Sequence, residues 1–368
     1  MTNRLVLLPF FCVVVPLVLY ILFIQAAYWS TVTIPSIAIG TISNITKVDE
    51  VIVHTGPIVF VGDVLLARNV EFLMNTKGVE YPFKNLSNIF GVKNYAVIGN
   101  FESAILEQHI KTPSFTTTFS VDKTFLPTLQ KSGFTHMSVA NNHAFDYGST
   151  TFKHTLISLE QAGITPFGHP THIDGLSAVT IPIGDKKVGL LAINEIFNRS
   201  SWDELQNNLD SLSSSTDMQI IYIHWGEEYI LKHDSKQEAL AKQLIDAGAD
   251  AIIGHHPHVV QDIDIYKNRP IFYSLGNFIF DQYFSVDVKQ GLVVKFSFVN
   301  DEVHYDLVPV TSEGAYSQPA LMDKEARTLF LTNLARRSNP IIANNIKQGK
   351  VILTFSLASY PQNGMITP

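Results

Sequence analysis

The chain of 368 residues contains a single cysteine, Cys12. One cysteine excludes an intrachain disulfide and any zinc cluster built on thiolates. Charge is also scarce, at 16% of residues, and the formal net charge is -7. With no Lys- or Arg-rich run, that balance argues against nucleic-acid binding, which needs a basic face. Internal repeats and low-complexity tracts are missing, which excludes a repeat array. Hydrophobic residues, at 46%, are ample for a core.

The most telling absence is local. From Leu5 to Ile24 there is no charged or strongly polar residue, and the next charge after Arg4 is Lys47. About 20 apolar residues in a helix match a hydrocarbon layer of ~30 Å. Membrane helices tolerate prolines such as Pro9 and Pro16. Tyr28 and Trp29 fall where an interfacial aromatic belt would lie. The competing reading is a cleaved signal peptide ending near Ala26-Ala27, but its apolar region should span only about 7–15 residues. Arg4 and the amino terminus favour the cytoplasmic side. The expected organisation is a transmembrane anchor over 1–29, a Ser/Thr/Ile-rich stalk over 30–56, a main extracytoplasmic domain over 57–312 and an extension over 313–368.

Within the main domain, short apolar runs end in polar turns. Ile58 to Val61 leads into Gly62-Asp63, Tyr95 to Ile98 into Gly99-Asn100, and Thr135 to Val139 into Ala140-Asn141. Gln219 to Ile223 leads into His224, and Ala251 to Ile253 into Gly254-His255. Such runs fit buried strands. Helical patterns over Leu156 to Ala162 and Asp234 to Ala247 separate them. In the second, Asp234 and Gln237 form a capping-box pair, Leu240, Leu244 and Ala247 make an apolar stripe, and Gly248 ends it. Hairpins are expected over Val260 to Ser274 and Leu292 to Val308. The tail offers a helix from Lys324 to Arg336 and a strand from Val351 to Phe355. The whole reads as α/β with a substantially parallel sheet, whose ligand loops gather at the carboxyl ends of strands.

The turns carry ligand chemistry. Asp63 and Glu102 supply anionic oxygen, Asn142 an amide oxygen, and His224, His256 and His258 imidazole nitrogen. That donor set suits divalent Mn, Fe or Zn, and its mixture suits two neighbouring ions. If residues 256–258 are extended, His256 and His258 project the same way and His255 points elsewhere. His143 is placed to act as a general acid, with Asp146 holding its ring in one tautomer. Arg68 could grip an anion through its fork, or simply form an ion pair at the rim. Tyr229 and Glu228 are, with Arg68, second-tier candidates, and the competing reading of Glu227 and Glu228 is solvation of a turn.

At these residues the chain resembles the CapA family of capsule-synthesis proteins, tied to poly-gamma-glutamate production and export. The matching signatures are Gly62-Asp63 with Arg68, Asn100-Phe101-Glu102, Ala140 to Asp146 with Gly148, and His224 to Tyr229. They continue through Gly254 to His258 with Gln261, and Tyr273 to Phe278 with Asp281-Gln282. That family in turn resembles calcineurin-like metallophosphoesterases. The resemblance implies a four-layer sandwich of two β-sheets flanked by helices. It also implies a dinuclear site in which Asp63, Asn142, His224, His256 and His258 are metal ligands and His143 the proton donor. Two departures stand out. Leu65 occupies a position where the pattern has His, and Asn100 one where it has a bridging Asp. Asn100 is then left to contact substrate. Glu102 is the available substitute, although strand alternation is expected to turn it to a different side.

The expected function is biosynthesis, attachment or export of an anionic polymer such as poly-gamma-glutamate at a metal-dependent hydrolase or transferase site. Other membrane capsule-synthase subunits are expected partners. The alternatives are a noncatalytic metal-binding scaffold of such a complex and a phosphoesterase for phosphate esters.

Overall fold

The structure, a computed structural model, describes residues 56–91, 95–197 and 200–354. The expected anchor, and the stalk up to residue 55, lie outside the described residues. Among the described residues no helix is long and apolar enough to cross a membrane.

The fold is a mixed α/β arrangement of two sheets with helices. In chain order the strands are β1 (Ile58–Val64), β2 (Ala96–Phe101), β3 (His136–Ser138), β4 (Thr165–Phe167), β5 (Ala178–Ile183), β6 (Lys186–Asn194), β7 (Met218–His224) and β8 (Ala251–His255). There follow β9 (Ile263–Tyr266), β10 (Arg269–Phe272), β11 (Asn277–Ile279), β12 (Gln290–Val299), β13 (Glu302–Thr311), β14 (Ala320–Leu321) and β15 (Lys350–Thr354). The first sheet runs β14-β13-β12-β1-β2-β3-β4, with β11 also paired to β1 and β15 to β13. The second runs β5-β6-β7-β8-β10-β9.

Side-chain alternation explains the packing. Ile58 and Phe60 of β1 share one apolar cluster with Leu190, Ala192, Ile220, Tyr222 and Ile253 of the second sheet. Their neighbours Val59 and Val61 join a different cluster with Leu86, Leu129 and Leu159. Ile221, Ile223 and Ile252 face a third, with Leu209 and Leu244. Successive strand residues point to opposite faces, so one set fills the space shared by the sheets and the other meets helices.

Two helices frame the functional region. α1 (Ser235–Asp246) starts at Asp234, whose side chain accepts from the amides of Lys236 and Gln237, completing the expected capping box. Its buried face is Gln237, Ala241, Leu244 and Ile245, so the expected stripe is rotated by about a residue and Leu240 is only partly buried. α2 (Lys324–Arg337) buries Phe330, Leu331 and Leu334 in the core shared by the sheets. Since β15 also extends the first sheet, the tail joins the same compact unit as the strands before it. Both expected hairpins form, as β9–β10 and β12–β13. A further hairpin, β5–β6, is antiparallel through the Gly184-Asp185 turn and was not among the expected elements.

Strand register sets up the site. Asp63 lies opposite Asn100 on one side and Asn277 on the other. In the second sheet His224 lies opposite His255. The pairing of β1 is irregular between Phe60 and Asp63, the kind of interruption that re-aims a side chain at a strand end. Gly62 permits this. A Cβ there would stand 1.8 Å from the Gly276 carbonyl oxygen, which accepts the Asp63 amide at 3.0 Å. Gly254 does the same in the second sheet, where a Cβ would lie 2.0 Å from the Tyr273 oxygen.

Candidate metal centre

Ligand-bearing residues from both sheets converge. Asp63, Glu102 and His224 are all buried, with ligand atoms within 4.8 Å of one another. Glu228, His256 and His258 form a second such group. The groups adjoin: His258 Nε2 is 3.9 Å from Glu102 Oε2, and the His224 and His256 rings are 4.6 Å apart.

Asn100 sits at the hub of the first group rather than facing a substrate. Its amide nitrogen donates to Asp63 Oδ1 at 2.8 Å and Glu102 Oε1 at 2.9 Å, and lies 3.2 Å from His224 Nδ1. Its oxygen accepts from Asn141 at 3.0 Å. An amide has two hydrogens, so it cannot serve three acceptors. Glu102 therefore belongs to the cluster, and the expectation that it turns away does not hold. It follows β2 and lies two residues from Asn100, a spacing that shares a strand face.

The remaining donors are Asn142, whose oxygen lies 2.9 Å from His224 Nε2, and His258, whose Nδ1 is 2.9 Å from Asn277 Oδ1. Asn277 thereby orients the ring, as outer partners of metal-binding histidines do. The His256–His258 segment is not extended: φ is +96° and +56° at these two residues. Non-glycine residues held in this region store strain that clusters at functional sites. His255, expected to point away, lies under the site. It is buried, its Nδ1 is 3.8 Å from Asp63 Oδ1, and its ring packs 4.1 Å from Tyr222.

His143 stands beside these groups. Its Nδ1 is 3.1 Å from Asp146 Oδ2, which also accepts the Phe119 amide at 2.7 Å. Its ring lies 4.0 Å from Phe119. The Asn142 amide nitrogen stands 3.3 Å from Nε2, consistent with a proton on Nδ1 and a lone pair on Nε2. Arg68 forks Asp281 through Nη2 and through Nε at 3.1 Å, and Nη1 donates to the Thr116 carbonyl at 3.3 Å. Its planar fork is thus committed within the chain. Leu65 is wholly buried in the cluster that meets helices, so the position of the absent imidazole belongs to the core.

The electrostatics are set by burial and by crowding of like and unlike charges. Burial pushes the Asp63 pKa up, but the adjoining His258 ring, with His255 and His224, outweighs it and holds the carboxyl below its ordinary range. Burial, and then the charge of Asp63, push Glu102 well above its ordinary value. Burial, and then His256, hold His224 well below. His256 falls to about 4, through burial and then His258. The fit to a metal is visible in unmatched groups: Asp63 Oδ2, Glu102 Oε2 and His256 Nδ1 are buried without a hydrogen-bond partner. Leaving such groups unmet costs about 1–3 kcal/mol each, more when charged. Coordination would answer all of them. Asp63, Glu102, His224, Glu228, His256 and His258 are the residues that could hold it, with Asn142 in contact with His224.

Sequence reasoning undervalued Glu228 and Asn277. The signal for Glu228 was its position four residues after His224 in a polar loop; only folding brings it to His256.

His255 gives a pH prediction. Its pKa is lowered to about 4 by burial, with Asp63 opposing. An unfolded histidine titrates near ~6.5, so between these values the unfolded chain binds more protons than the folded one. Its share of stability is then complete above pH ~6.5 and is lost as pH falls toward 4. Denaturant midpoints of the metal-free protein should fall over that window, and less steeply in His255→Gln. Identical slopes would contradict the assignment.

Comparison with known proteins gives the chain its family. The family model described as Bacterial capsule synthesis protein PGA_cap matches residues 57–282. The chain is 32% identical over 280 residues to the Capsule biosynthesis protein CapA of Bacillus anthracis, covering 70% of this chain and 68% of that one. It is 30% identical over 322 residues to the PGA biosynthesis protein CapA of Bacillus subtilis (strain 168), covering 81% of each. Among solved structures, a putative 5'-nucleotidase from Staphylococcus aureus is similar over 73% of this chain and 55% of its own, at 14% identity and a TM-score of 0.45. The span of the family match takes in Asp63, Glu102, His224, Glu228, His256 and His258, and the chain belongs to the PGA_cap family of bacterial capsule synthesis proteins.

Proposed function

We propose that this protein acts in making, attaching or exporting an anionic capsule polymer such as poly-gamma-glutamate, through a divalent-metal site that hydrolyses or transfers at an ester or amide bond. The observation that carries the reading is the pair of buried carboxylate oxygens, Asp63 Oδ2 and Glu102 Oε2, which lie 3.2 and 3.9 Å from the His258 nitrogens with no well-formed hydrogen bond. The fold we assign is a four-layer sandwich of the metallophosphoesterase type, tethered by an anchor over 1–29 and a stalk over 30–56. The domain over 57–312, with its extension over 313–368, works outside the cytoplasm.

A bound divalent ion, Mn, Fe or Zn and by this reading a pair, supplies Lewis acidity and a water acidified toward neutral pH. The chain does the rest. His143 stands at the edge of the cluster with Nε2 facing away from Asp146, so once protonated it delivers a proton to a leaving oxygen or nitrogen. Asp146 fixes the orientation and tautomer of the ring. Tyr229, stacked 6.1 Å from His258, walls the site, and its hydroxyl is held by Gln282 at 3.0 Å.

A second reading, a noncatalytic scaffold that keeps one structural metal, is favoured by Asn100 and Leu65. The first puts an amide among the ligands, and the second removes an imidazole. Full-length protein loaded with each metal and assayed on phosphomonoesters, phosphodiesters and polyglutamate separates the readings. Bound metal with metal-dependent turnover is expected. Bound metal without turnover on any substrate selects the scaffold, turnover confined to phosphate esters selects a phosphoesterase, and failure to bind metal removes all three.

A further inference from the structure

An acidic protein repels a polyanion unless cations or a local basic patch intervene. The structure contains such a patch. Beyond Tyr229 and His258 the chain enters a cavity of about 150 Å³. Its lining includes Leu231, Val260, Asp287 and Gln290, together with Asn333, Arg336 and Arg337 of α2. Leu231 is two residues past Tyr229, and Val260 two past His258. Two residues of extended chain span at most about 7 Å, so the backbone of this lining lies within that reach of the backbone at Tyr229 and His258.

The arginines are poorly matched within the chain. Arg68 forms an ion pair with Asp281 and Arg269 with Asp250, whereas Arg336 and Arg337, like Arg327, form none among the described residues. Arg337 donates from Nη2 to the Val260 carbonyl at 2.8 Å, but its buried Nε has no hydrogen-bond partner. Burial lowers its pKa, with the charges of Asp262 and Asp287 opposing. A plain explanation exists: basic residues in the last turn of a helix complement its negative end. That accounts for the sign of the charge. It does not account for an unmet guanidinium N–H, or for amide side chains gathered around a cavity. In the lining two guanidiniums face the one carboxylate of Asp287, and the charge of Asp262 also bears on Arg337.

We propose that this cavity is a subsite that takes one carboxylate of the polymer while a neighbouring unit lies at the metal cluster. Arginine is suited to the task because its planar fork meets a carboxylate with paired N–H donors. Asn333 and Gln290 add amide donors. The subsite gives the tail helix α2 a role, and it rests on the polymer reading above.

The test is binding of a fluorescent γ-linked glutamate decamer to full-length protein at fixed ionic strength, read by anisotropy, with a γ-linked glutamine decamer as the neutral control. Arg336 is exposed, so Arg336→Gln should fold normally, and its bound metal serves as the check. The glutamate decamer should bind roughly ten- to hundredfold more weakly to this variant, the loss expected for one charge-assisted contact. Metal content should be unchanged, and the neutral decamer should respond little. Wild-type affinity in both Arg336→Gln and the double variant Arg336→Gln/Arg337→Gln would overturn the subsite and leave the polymer reading standing. An equal loss for both decamers would overturn carboxylate recognition. Failure of the wild-type protein to bind the glutamate decamer would remove the polymer reading and the subsite together.

Discussion

Asp63→Asn should strip the protein of divalent metal. Elemental analysis after loading with Mn, Fe or Zn is expected to fall to background, an affinity loss beyond the 10–100-fold that outer-shell partners command. The argument is local. Asp63 is fully buried, one oxygen is held by Asn100, and the other lies 3.2 Å from His258 Nδ1. An amide supplies one neutral oxygen and turns an N–H toward groups that need to face a cation. Stability gives a second readout. Metal that binds only the folded state raises the melting temperature of the wild type. The variant should show no such rise, and its metal-free form should lose stability, because the fold holds the Asp63 charge favourably beside His258. Full metal stoichiometry in Asp63→Asn would refute the cluster as the metal's site.

His143→Ala should lower turnover by about 10²–10⁴-fold, the usual worth of a placed acid, while sparing bound metal. The separation follows from the geometry, since His143 belongs to neither ligand group and its ring nitrogens face Asp146 and the Asn142 amide. Asp146→Asn should do less and do it differently. The carboxylate holds the ring, so its loss should shift the alkaline limb of the pH–rate profile, where a general acid loses its proton, and not merely reduce its height. Because Asp146 also receives the Phe119 amide, the profile, and not the rate alone, identifies its role. Undiminished turnover in His143→Ala would eliminate it as the acid, and lost metal would reassign it as a ligand.

The strand ends were legible because each couples a β-branched run to a Gly, Asn or His turn, a local signal needing no tertiary information. β1, β2, β3, β7 and β8 are of this kind. The hairpin β5–β6 carried a signal of its own, Gly184-Asp185 between apolar runs, but it bears no ligand and raised no expectation. Half of the helix Gly148–Gln161 was missed because its first two turns are polar and β-branched. Asp63, Asn142, His143, His224 and the paired histidines could be read from their motifs. Glu228 meeting His256, Asn277 steering His258, and Arg68 spending its fork on Asp281 could not. Each depends on loops far apart in sequence, and the positive φ angles at His256 and His258 have no compositional mark.

The approach of β1 to the Gly276 carbonyl carries an implication for how such a chain can change. At residue 62 even one methyl group would have to occupy a neighbour's oxygen, so this position tolerates no side chain while the strands keep their spacing. The adjacent ligand faces no such steric veto: Asn fits where Asp stands, much as Leu65 fits the core. The scaffold can therefore outlive its chemistry. Intact glycines testify that the frame is standing, whereas the acidic and imidazole groups alone tell whether a given member still grips an ion.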